Sequence, residues 1–376
     1  MKITDVNAVA LNATLEHVSK AGTYQVEKKG TILTTISTDE GITGCTYVGQ
    51  GPSVVSEQKK ICNITNGKLK AELIGEDPFM IDHLWMKMFR HALQGRDRGL
   101  TTLSISGIDV SLYDLVGKTV GVPVFKLLGG SRDKIPIVSV QYYEEHEDFS
   151  EQLEKSRRAT SLAKKSGFCG LKLKVGALSV EQDIERVKTV RDEGGENFVI
   201  VTDANHAWTV EQAIKFGKGV EDLSVGYLEE PVLYYDEIRD LRKVKEFVNV
   251  PISACQGVNS RIDCMDFIIK GAVDMINPDI SRIGGITEWV KIAHMAEYYG
   301  VKMTAHACIE ATLQLFGGVS NTTWATQQTP WRDPFWSGGE IVKSPPKPSG
   351  GYIKLLDKPG MGYDINEKKI AKYLVK

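Results

Sequence analysis

Short apolar runs alternate with amphipathic helical stretches along the middle of the chain. Each run is followed by a segment whose apolar residues recur at helical spacing. This alternation predicts a parallel sheet with helical crossovers, closing as an α/β barrel of the (β/α)7β type. The predicted strands are 136–140, 171–175, 198–203, 225–231, 251–254, 273–278 and 301–306. The predicted helices lie near 148–166, 179–193, 209–220, 235–247, 260–270, 285–299 and 309–317.

A doubly wound open sheet would produce the same alternation and is the alternative architecture. Dinucleotide-binding sheets of that class carry a G-x-G-x-x-G turn after their first strand. No such pattern follows the run at 136–140, which favours the barrel.

The segments on either side of the predicted barrel have different patterns. Residues 1–128 begin with β-rich sequence and continue with helical periodicity, which predicts an α+β capping domain. After Trp324 the sequence becomes rich in Pro and Gly and ends in a short β-like stretch and a helix. We therefore divide the chain into a cap (1–128), a barrel domain (129–330) and a C-terminal segment (331–376).

Composition narrows the class of protein. The 376 residues include 46 Lys and Arg against 48 Asp and Glu, a net charge of −2, which argues against a nucleic-acid or polybasic membrane surface. No apolar run approaches the roughly 18–20 residues of a membrane span, and the N-terminus lacks an apolar signal region. Six scattered cysteines without a C-x-x-C pair indicate reduced thiols. We expect a cytoplasmic protein.

Polar residues stand at the ends of successive predicted strands. The carboxyl ends of barrel strands meet at one rim, where catalytic groups of such barrels lie. Each residue alone has a commoner structural interpretation, such as a helix cap for Asp203, so the ordered set carries the inference. In chain order the strand ends supply Lys172, Lys174, Asp203, Asn205, Glu229, Gln256, Asp279 and His306.

Strand alternation decides which way the two lysines point. Leu171, Leu173 and Val175 share one face of their strand, so Lys172 and Lys174 share the other and point into the barrel. Buried ammonium groups require carboxylate partners or a function. The next two strands supply such carboxylates.

These residue types suit metal-assisted proton abstraction from a carbon next to a carboxylate. Asp203 and Glu229 offer the hard oxygen ligands that Mg²⁺ prefers, and a metal can stabilise the enediolate that forms. Lys172 would lower the pKa of Lys174 so that Lys174 can act as a base. His306 is a second acid or base, with Asp279 placed to fix its tautomer.

The motifs resemble the mandelate racemase-like subgroup of the enolase superfamily over nearly the whole chain. The segment SGIDVSLYDLVGKTVGVPVFKLLGG looks like the helix that closes the family's capping domain. GLKLKVG, VTDANHAW and YLEEP look like its Lys-x-Lys strand and two metal-ligand strands. INPDISRIGGI and MTAH look like the Asp and His of its catalytic dyad, and PGMGYDINEKKIAKY resembles the segment that returns to the cap.

The resemblance implies a role for each rim residue. It also implies Mg²⁺ as cofactor, a small-molecule carboxylate as substrate and a homo-oligomer. A mobile loop around residues 20–28, with Tyr24, is expected to close over the barrel and contact the substrate. The implied metal ligands are Asp203, Glu229 and Gln256; the implied catalytic residues are Lys174, Lys172, His306 and Asp279; Asn205, Lys172 and Tyr24 are the implied substrate contacts.

Two departures from the family pattern bear on the reaction. Gln256 stands where a third carboxylate ligand is usual; a glucarate-dehydratase-like branch has an amide there, and a member that has lost its metal is the alternative. Thr326, followed by Gln327 and Gln328, stands where mandelate racemase has a Glu, which argues against mandelate as substrate. We expect dehydration of a sugar acid. Racemisation or epimerisation at the α-carbon and a non-catalytic, ligand-binding barrel are the alternatives.

Overall fold

The computed structural model describes residues 1–51, 53–95, 98–143, 148–306, 309–328 and 340–375. Its first part, which we call the cap, is an antiparallel sheet in the order β1-β2-β3 with helices packed against it. A π-helical turn at Thr65–Leu69 joins the first two helices. The cap elements are β1 (Ile3–Lys20), β2 (Gln25–Thr38), β3 (Thr43–Gly51), α1 (Val55–Ile64), α2 (Lys70–Leu73), α3 (Ile81–Gly95) and α4 (Gly99–Val120), and α5 (Val124–Leu127) follows.

The parallel sheet forms the predicted barrel, in the order β10-β9-β8-β7-β6-β5-β4-β11. The two ends of the sheet meet where Met303 of β10 contacts the segment that leads into β11: Met303 N–H donates to Asn321 O at 2.8 Å, and its carbonyl accepts from Thr323 N at 2.9 Å. The barrel fold is therefore confirmed. The strands are β4 (Lys134–Gln141), β5 (Gly170–Lys174), β6 (Val199–Asp203), β7 (Val225–Glu229), β8 (Ile252–Ala254), β9 (Met275–Ile276), β10 (Lys302–Met303) and β11 (Ala325–Gln328).

A helix follows each of the strands β4 to β10, as the alternation predicted. Ser179 and Thr209 begin two of these helices with reciprocal capping boxes, which satisfy N–H groups of the first turn. The helices are α6 (Phe149–Lys165), α7 (Val180–Gly194), α8 (Val210–Val220), α9 (Glu237–Lys245), α10 (Arg261–Ile269), α11 (Ile286–Tyr298) and α12 (Ile309–Gly318).

The cap docks on the barrel where α4 meets the start of α11. Asp109 of α4 accepts from Thr287 N at 3.0 Å and from Thr287 Oγ1 at 2.6 Å, so it caps a helix of the barrel. A Cβ on Gly285, whose φ is 88°, would lie 2.4 Å from Asp109 Oδ2. The Gly-Gly of the RIGGI motif therefore provides close approach between cap and barrel.

The C-terminal segment contacts both parts of the molecule. Strand β12 (Tyr352–Lys354) pairs antiparallel with β4 of the barrel. Further along, Val375 N donates to Ala10 O of the cap at 2.9 Å, beyond helix α13 (Glu367–Ile370). Residues 331–339 of the predicted segment lie outside the described residues.

Two expectations from composition can be compared with the structure. Within the described ranges, no helix is long and apolar enough to cross a bilayer. Five cysteines are free thiols, and Cys308 lies outside the described residues. The free cysteines are Cys45, Cys62, Cys169, Cys255 and Cys264.

Candidate active site

The backbone adopts uncommon conformations where the barrel strands β6 to β8 end. Positive φ angles occur at Asn205 (46°), His206 (62°), Glu230 (43°) and Cys255 (97°). Residues with a side chain rarely adopt this region, and such strain concentrates at functional sites. The carboxyl-end rim of these strands is therefore the candidate site.

Two lysines and two carboxylates form a buried cluster at this rim. Lys174, Asp203 and Glu229 are register partners on adjacent strands, so their side chains point the same way. Lys174 Nζ lies 2.5 Å from Asp203 Oδ2, and Lys172 Nζ lies 3.0 Å from the same oxygen and 2.6 Å from Glu229 Oε1. Lys174 also donates to Asn205 Oδ1 at 2.8 Å. The cluster thus pairs two amino groups with two carboxyl groups.

The electrostatics of the lysines differ from the sequence-based expectation. Burial lowers the pKa of Lys174, and Lys172 also lowers it, but Asp203, Tyr24 and Tyr142 outweigh both and the pKa is raised. Lys172 follows the same balance, with burial outweighed by the two carboxylates. Lys172 thus acts in the predicted direction, but the predicted net lowering of the Lys174 pKa is wrong, because the opposite charge of Asp203 outweighs the like charge of Lys172.

The two carboxylates respond in opposite directions. Burial opposes ionisation of Asp203, but its two lysine partners hold its pKa well below the usual value. Burial and the negative charge of Asp203 raise the pKa of Glu229 to about 8, although the lysines lower it. Strongly perturbed, buried carboxyl groups beside a cleft are typical of functional sites.

His306 and Asp279 form a second acid–base unit on the other side of the barrel mouth. His306 Nδ1 lies 2.9 Å from Asp279 Oδ2, and Ser281 donates to Asp279 Oδ1 through N at 2.8 Å and Oγ at 2.6 Å. Burial opposes ionisation of Asp279, but His306 and Ser281 outweigh it, so its pKa is lowered. With Nδ1 engaged, Nε2 of His306 is the nitrogen left for proton transfer.

Gln256 lies beside a pair of residues that the sequence reasoning did not select. Its Nε2 donates to Glu230 Oε2, which also accepts from His206 Nε2 at 2.9 Å. Burial lowers the pKa of His206, but Glu230 outweighs it and raises that pKa to about 9. Both residues were visible in the motifs VTDANHAW and YLEEP, yet strand alternation assigns Glu230 to the face opposite Glu229.

The donor set fits a hard divalent cation such as Mg²⁺. Glu229 Oε2 and Gln256 Oε1 are buried and have no hydrogen-bond partner in the part of the chain that the structure describes. Asp203 Oδ1 accepts only a backbone N–H, that of Asn205 at 3.0 Å, among the described contacts. Each predicted ligand thus keeps an oxygen that the lysines do not occupy, and an all-oxygen set is the one that Mg²⁺ prefers.

The loop between β1 and β2 reaches the same rim. Lys20 pairs with Tyr143 at the end of β4 through backbone bonds of 3.1 and 3.0 Å, and Thr23 Oγ1 donates to Asn205 O at 2.7 Å. A Cβ on Gly22 would lie 2.3 Å from Ala204 O. The loop that carries Tyr24 is therefore docked on the barrel.

The remaining predicted position lies on the last strand of the barrel, which the (β/α)7β type implies but which the sequence reasoning did not locate. Thr326 and Gln327 are buried in β11, which pairs with β4 and supplies the eighth strand of the barrel. The Gln328 side chain lies outside the described residues.

Models of known families match both parts of the chain. Residues 3–129 match the mandelate racemase / muconate lactonizing enzyme N-terminal domain, and residues 154–369 match the enolase C-terminal domain-like family. The chain belongs to the mandelate racemase / muconate lactonizing enzyme family. The expected enolase-superfamily membership is thereby confirmed, and the chain is an enzyme of the lyase or isomerase classes that its relatives represent.

Individual members of this family align over most of the chain. An arabinonate dehydratase of Saccharolobus solfataricus is 33% identical over 351 residues, covering 92% of this chain and 91% of the relative. An L-talarate/galactarate dehydratase of Salmonella typhimurium is 30% identical, covering 79% and 71%. A family member from a marine actinobacterium, solved in complex with magnesium, superimposes with a TM-score of 0.90 at 30% identity, covering 100% and 99%. The expectation of Mg²⁺ as cofactor is confirmed at the level of the family.

Proposed function

We propose that this enzyme is a Mg²⁺-dependent sugar-acid dehydratase. It removes the α-proton of a hydroxylated carboxylate and expels the β-hydroxyl as water, and the resulting enol becomes a 2-keto-3-deoxy acid. The observation that carries the proposal is the pairing of a buried lysine–carboxylate cluster with a separate His–Asp unit at one barrel rim. The two dehydratases described above support the choice of reaction.

The proposed roles follow from the positions of the two units. Lys174 ends β5 and His306 follows β10, with β4 and β11 between them on the shorter path around the barrel. A substrate lying over the mouth would have one unit on each side. Lys174 or His306 takes the α-proton, and His306 delivers a proton to the departing hydroxyl. Asp279 holds the imidazole in the orientation that both transfers require.

The proposed metal ligands are Asp203, Glu229 and Gln256. When bound there, Mg²⁺ would hold the substrate carboxylate and stabilise the negative charge that develops as the α-proton leaves. Lys172 and Asn205 lie close enough to this cluster to contact the same carboxylate. Tyr24 is proposed as a contact to the distal part of the substrate.

Racemisation or epimerisation at the α-carbon is the second candidate. It uses the same two proton-transfer units without a leaving group. The isomerase class is represented among similar proteins by a D-galactarolactone cycloisomerase of Agrobacterium fabrum, 26% identical over 99% of the chain. The pathways diverge after the first proton transfer. Retention of the β-hydroxyl is therefore the property to measure.

A library of diastereomeric sugar acids incubated with Mg²⁺ in D₂O separates these reactions. Dehydration gives a 2-keto acid, detectable as its semicarbazone, whereas racemisation gives α-deuterated acid with no keto product. Chelation with EDTA should abolish turnover and added Mg²⁺ should restore it. Turnover without any divalent cation would refute the proposal. The cytoplasmic location and the homo-oligomeric state stay predictions, which cell fractionation and light scattering would test.

A further inference from the structure

The Gln256 amide is held at one end only. Its Nε2 donates to Glu230 Oε2, while Oε1, at the other end of the same planar group, is buried without a partner among the described residues. Leaving a buried carbonyl oxygen without a donor is costly. A cation bound at Oε1 would remove that cost, and Glu229 Oε2 is a second buried oxygen in the same condition.

Glu230 is itself fixed by several contacts. His206 donates from Nε2 to Glu230 Oε2 at 2.9 Å, its own N–H donates to Glu230 O at 2.7 Å, and its Nδ1 contacts Val232 O at 3.1 Å. Glu230 N donates to Ser253 O at 2.9 Å. The carboxylate is therefore held in place on the side facing Gln256.

The chemistry of the carboxylate fixes which end of the amide faces it. A carboxylate only accepts hydrogen bonds, so the Gln256 atom beside it must be the NH₂ group. Free amides can rotate to exchange their two ends, and here one rotamer would place two acceptor oxygens together. Glu230 thus selects the orientation in which the carbonyl oxygen points away from it.

We propose that Glu230, held by His206, is a positioning residue that orients the Gln256 amide so that its carbonyl oxygen binds the metal. This inference rests on the proposed function, because it takes Mg²⁺ to bind at Asp203, Glu229 and Gln256. It explains how the site can use an amide at the position of the third ligand. A glutamate there would need no orientation, since both of its oxygens are acceptors.

A cation bound directly by His206, Glu230 and Glu237 is the competing explanation. Their potential ligand atoms lie within 4.8 Å of one another. Both ring nitrogens of His206 already face acceptors, Nε2 facing Glu230 and Nδ1 facing Val232 O, so neither offers a lone pair. The cluster therefore positions Gln256 and does not bind a cation itself.

Isothermal titration of the metal-free enzyme with MgCl₂ tests the proposal without relying on activity. Glu230→Gln replaces a group that only accepts hydrogen bonds by an amide that both donates and accepts, so it no longer selects one orientation of the Gln256 amide. Glu230→Asp keeps the charge but draws it back by one methylene. Loss of an outer contact to a metal ligand weakens metal binding by about 10–100-fold, and we expect both variants to raise the Mg²⁺ Kd by that amount. Glu237→Gln, the same change on the neighbouring carboxyl 3.8 Å from His206 Nδ1, should leave the Kd within about twofold.

A double variant supplies the rescue. Glu230→Gln combined with Gln256→Glu exchanges the amide and the carboxylate, so the hydrogen bond and the total charge are kept and a carboxylate faces the metal. We expect its Mg²⁺ Kd to return to the wild-type value or below. Circular dichroism of each metal-free variant checks that it is folded.

The outcomes distinguish failure of the proposed function from failure of the positioning role. Wild-type protein that binds no Mg²⁺ would overturn both. If wild-type protein binds one Mg²⁺ per chain but Glu230→Asp binds equally well, only the positioning role is overturned. A double variant as weak as Glu230→Gln would also overturn it, because a damaged structure and not a lost orientation would then explain the single variant.

Discussion

Glu310 provides a prediction whose size can be worked out from the structure. It lies in α12, is 5% exposed, and accepts from the Tyr47 hydroxyl of the cap through Oε2. Its Oε1 has no partner within the described ranges. Burial raises the pKa of Glu310 to about 7 from 4.5, although the Tyr47 hydrogen bond lowers it. Ionising Glu310 therefore costs more in the folded protein than in the unfolded chain.

The direction of the pH effect follows from the two pKa values. Below pH 4.5 Glu310 is protonated in both states and costs nothing; the cost grows as the pH rises and is complete above about pH 7. A difference of about 2.5 pKa units corresponds to about 3 kcal/mol in the free energy of unfolding. With an unfolding entropy of about 2.1 cal/mol/K per residue, this equals about 4 °C in Tm for a chain of this length.

Glu310→Gln removes the ionisation and keeps an acceptor for Tyr47. We expect it to raise Tm by about 4 °C at pH 8 and by at most about 1 °C at pH 5, measured by thermal unfolding followed by circular dichroism. Glu185→Gln is the matched control, because Glu185 is 50% exposed and should give no pH-dependent difference. An equal change in Tm at both pH values for Glu310→Gln would refute the reasoning.

Three further predictions concern the site and its support. Lys174→Met and His306→Asn should each lower kcat by about 10²–10⁴-fold in the keto-acid assay, as expected for loss of a general acid or base. Arg186→Met should lower the free energy of unfolding by roughly 3–5 kcal/mol in a urea titration, because Asp183, 3.0 Å away, is left buried without its cation. Gly22→Ala should raise KM with little change in Tm, because its Cβ would meet a rim carbonyl oxygen at 2.3 Å and displace the loop.

The barrel could be predicted from the sequence because strands that are buried on both faces form apolar runs. All five residues of β5, Gly170 to Lys174, are buried, and its two lysines stand out against the apolar run. The eighth strand was not located because its sequence is not an apolar run. Its sequence Ala-Thr-Gln-Gln contains only one apolar residue, and pairing with β4, nearly 190 residues earlier in the chain, is what places it in the sheet.

The electrostatics of the rim could not be derived from one strand at a time. The sequence reasoning considered Lys172 as the neighbour that sets the pKa of Lys174, because the two lie two residues apart. In the folded chain Asp203, on the next strand, lies 2.5 Å from the ammonium group of Lys174, and its opposite charge outweighs the like charge of Lys172. The sign of such a shift depends on distances across strands, which the spacing within one strand does not contain.

The contact of Glu230 and His206 beside Gln256 was not predicted because the backbone is no longer extended at these two residues. Alternation along β7 would turn Glu230 away from Glu229 toward the surrounding helices. The positive φ of Glu230 and that of His206 instead bring their side chains together at the rim, where Glu230 accepts from Gln256. Side-chain alternation is a property of extended backbone, so it fails at the first residue beyond the strand. In a barrel, that residue belongs to the part of the fold that carries the chemistry.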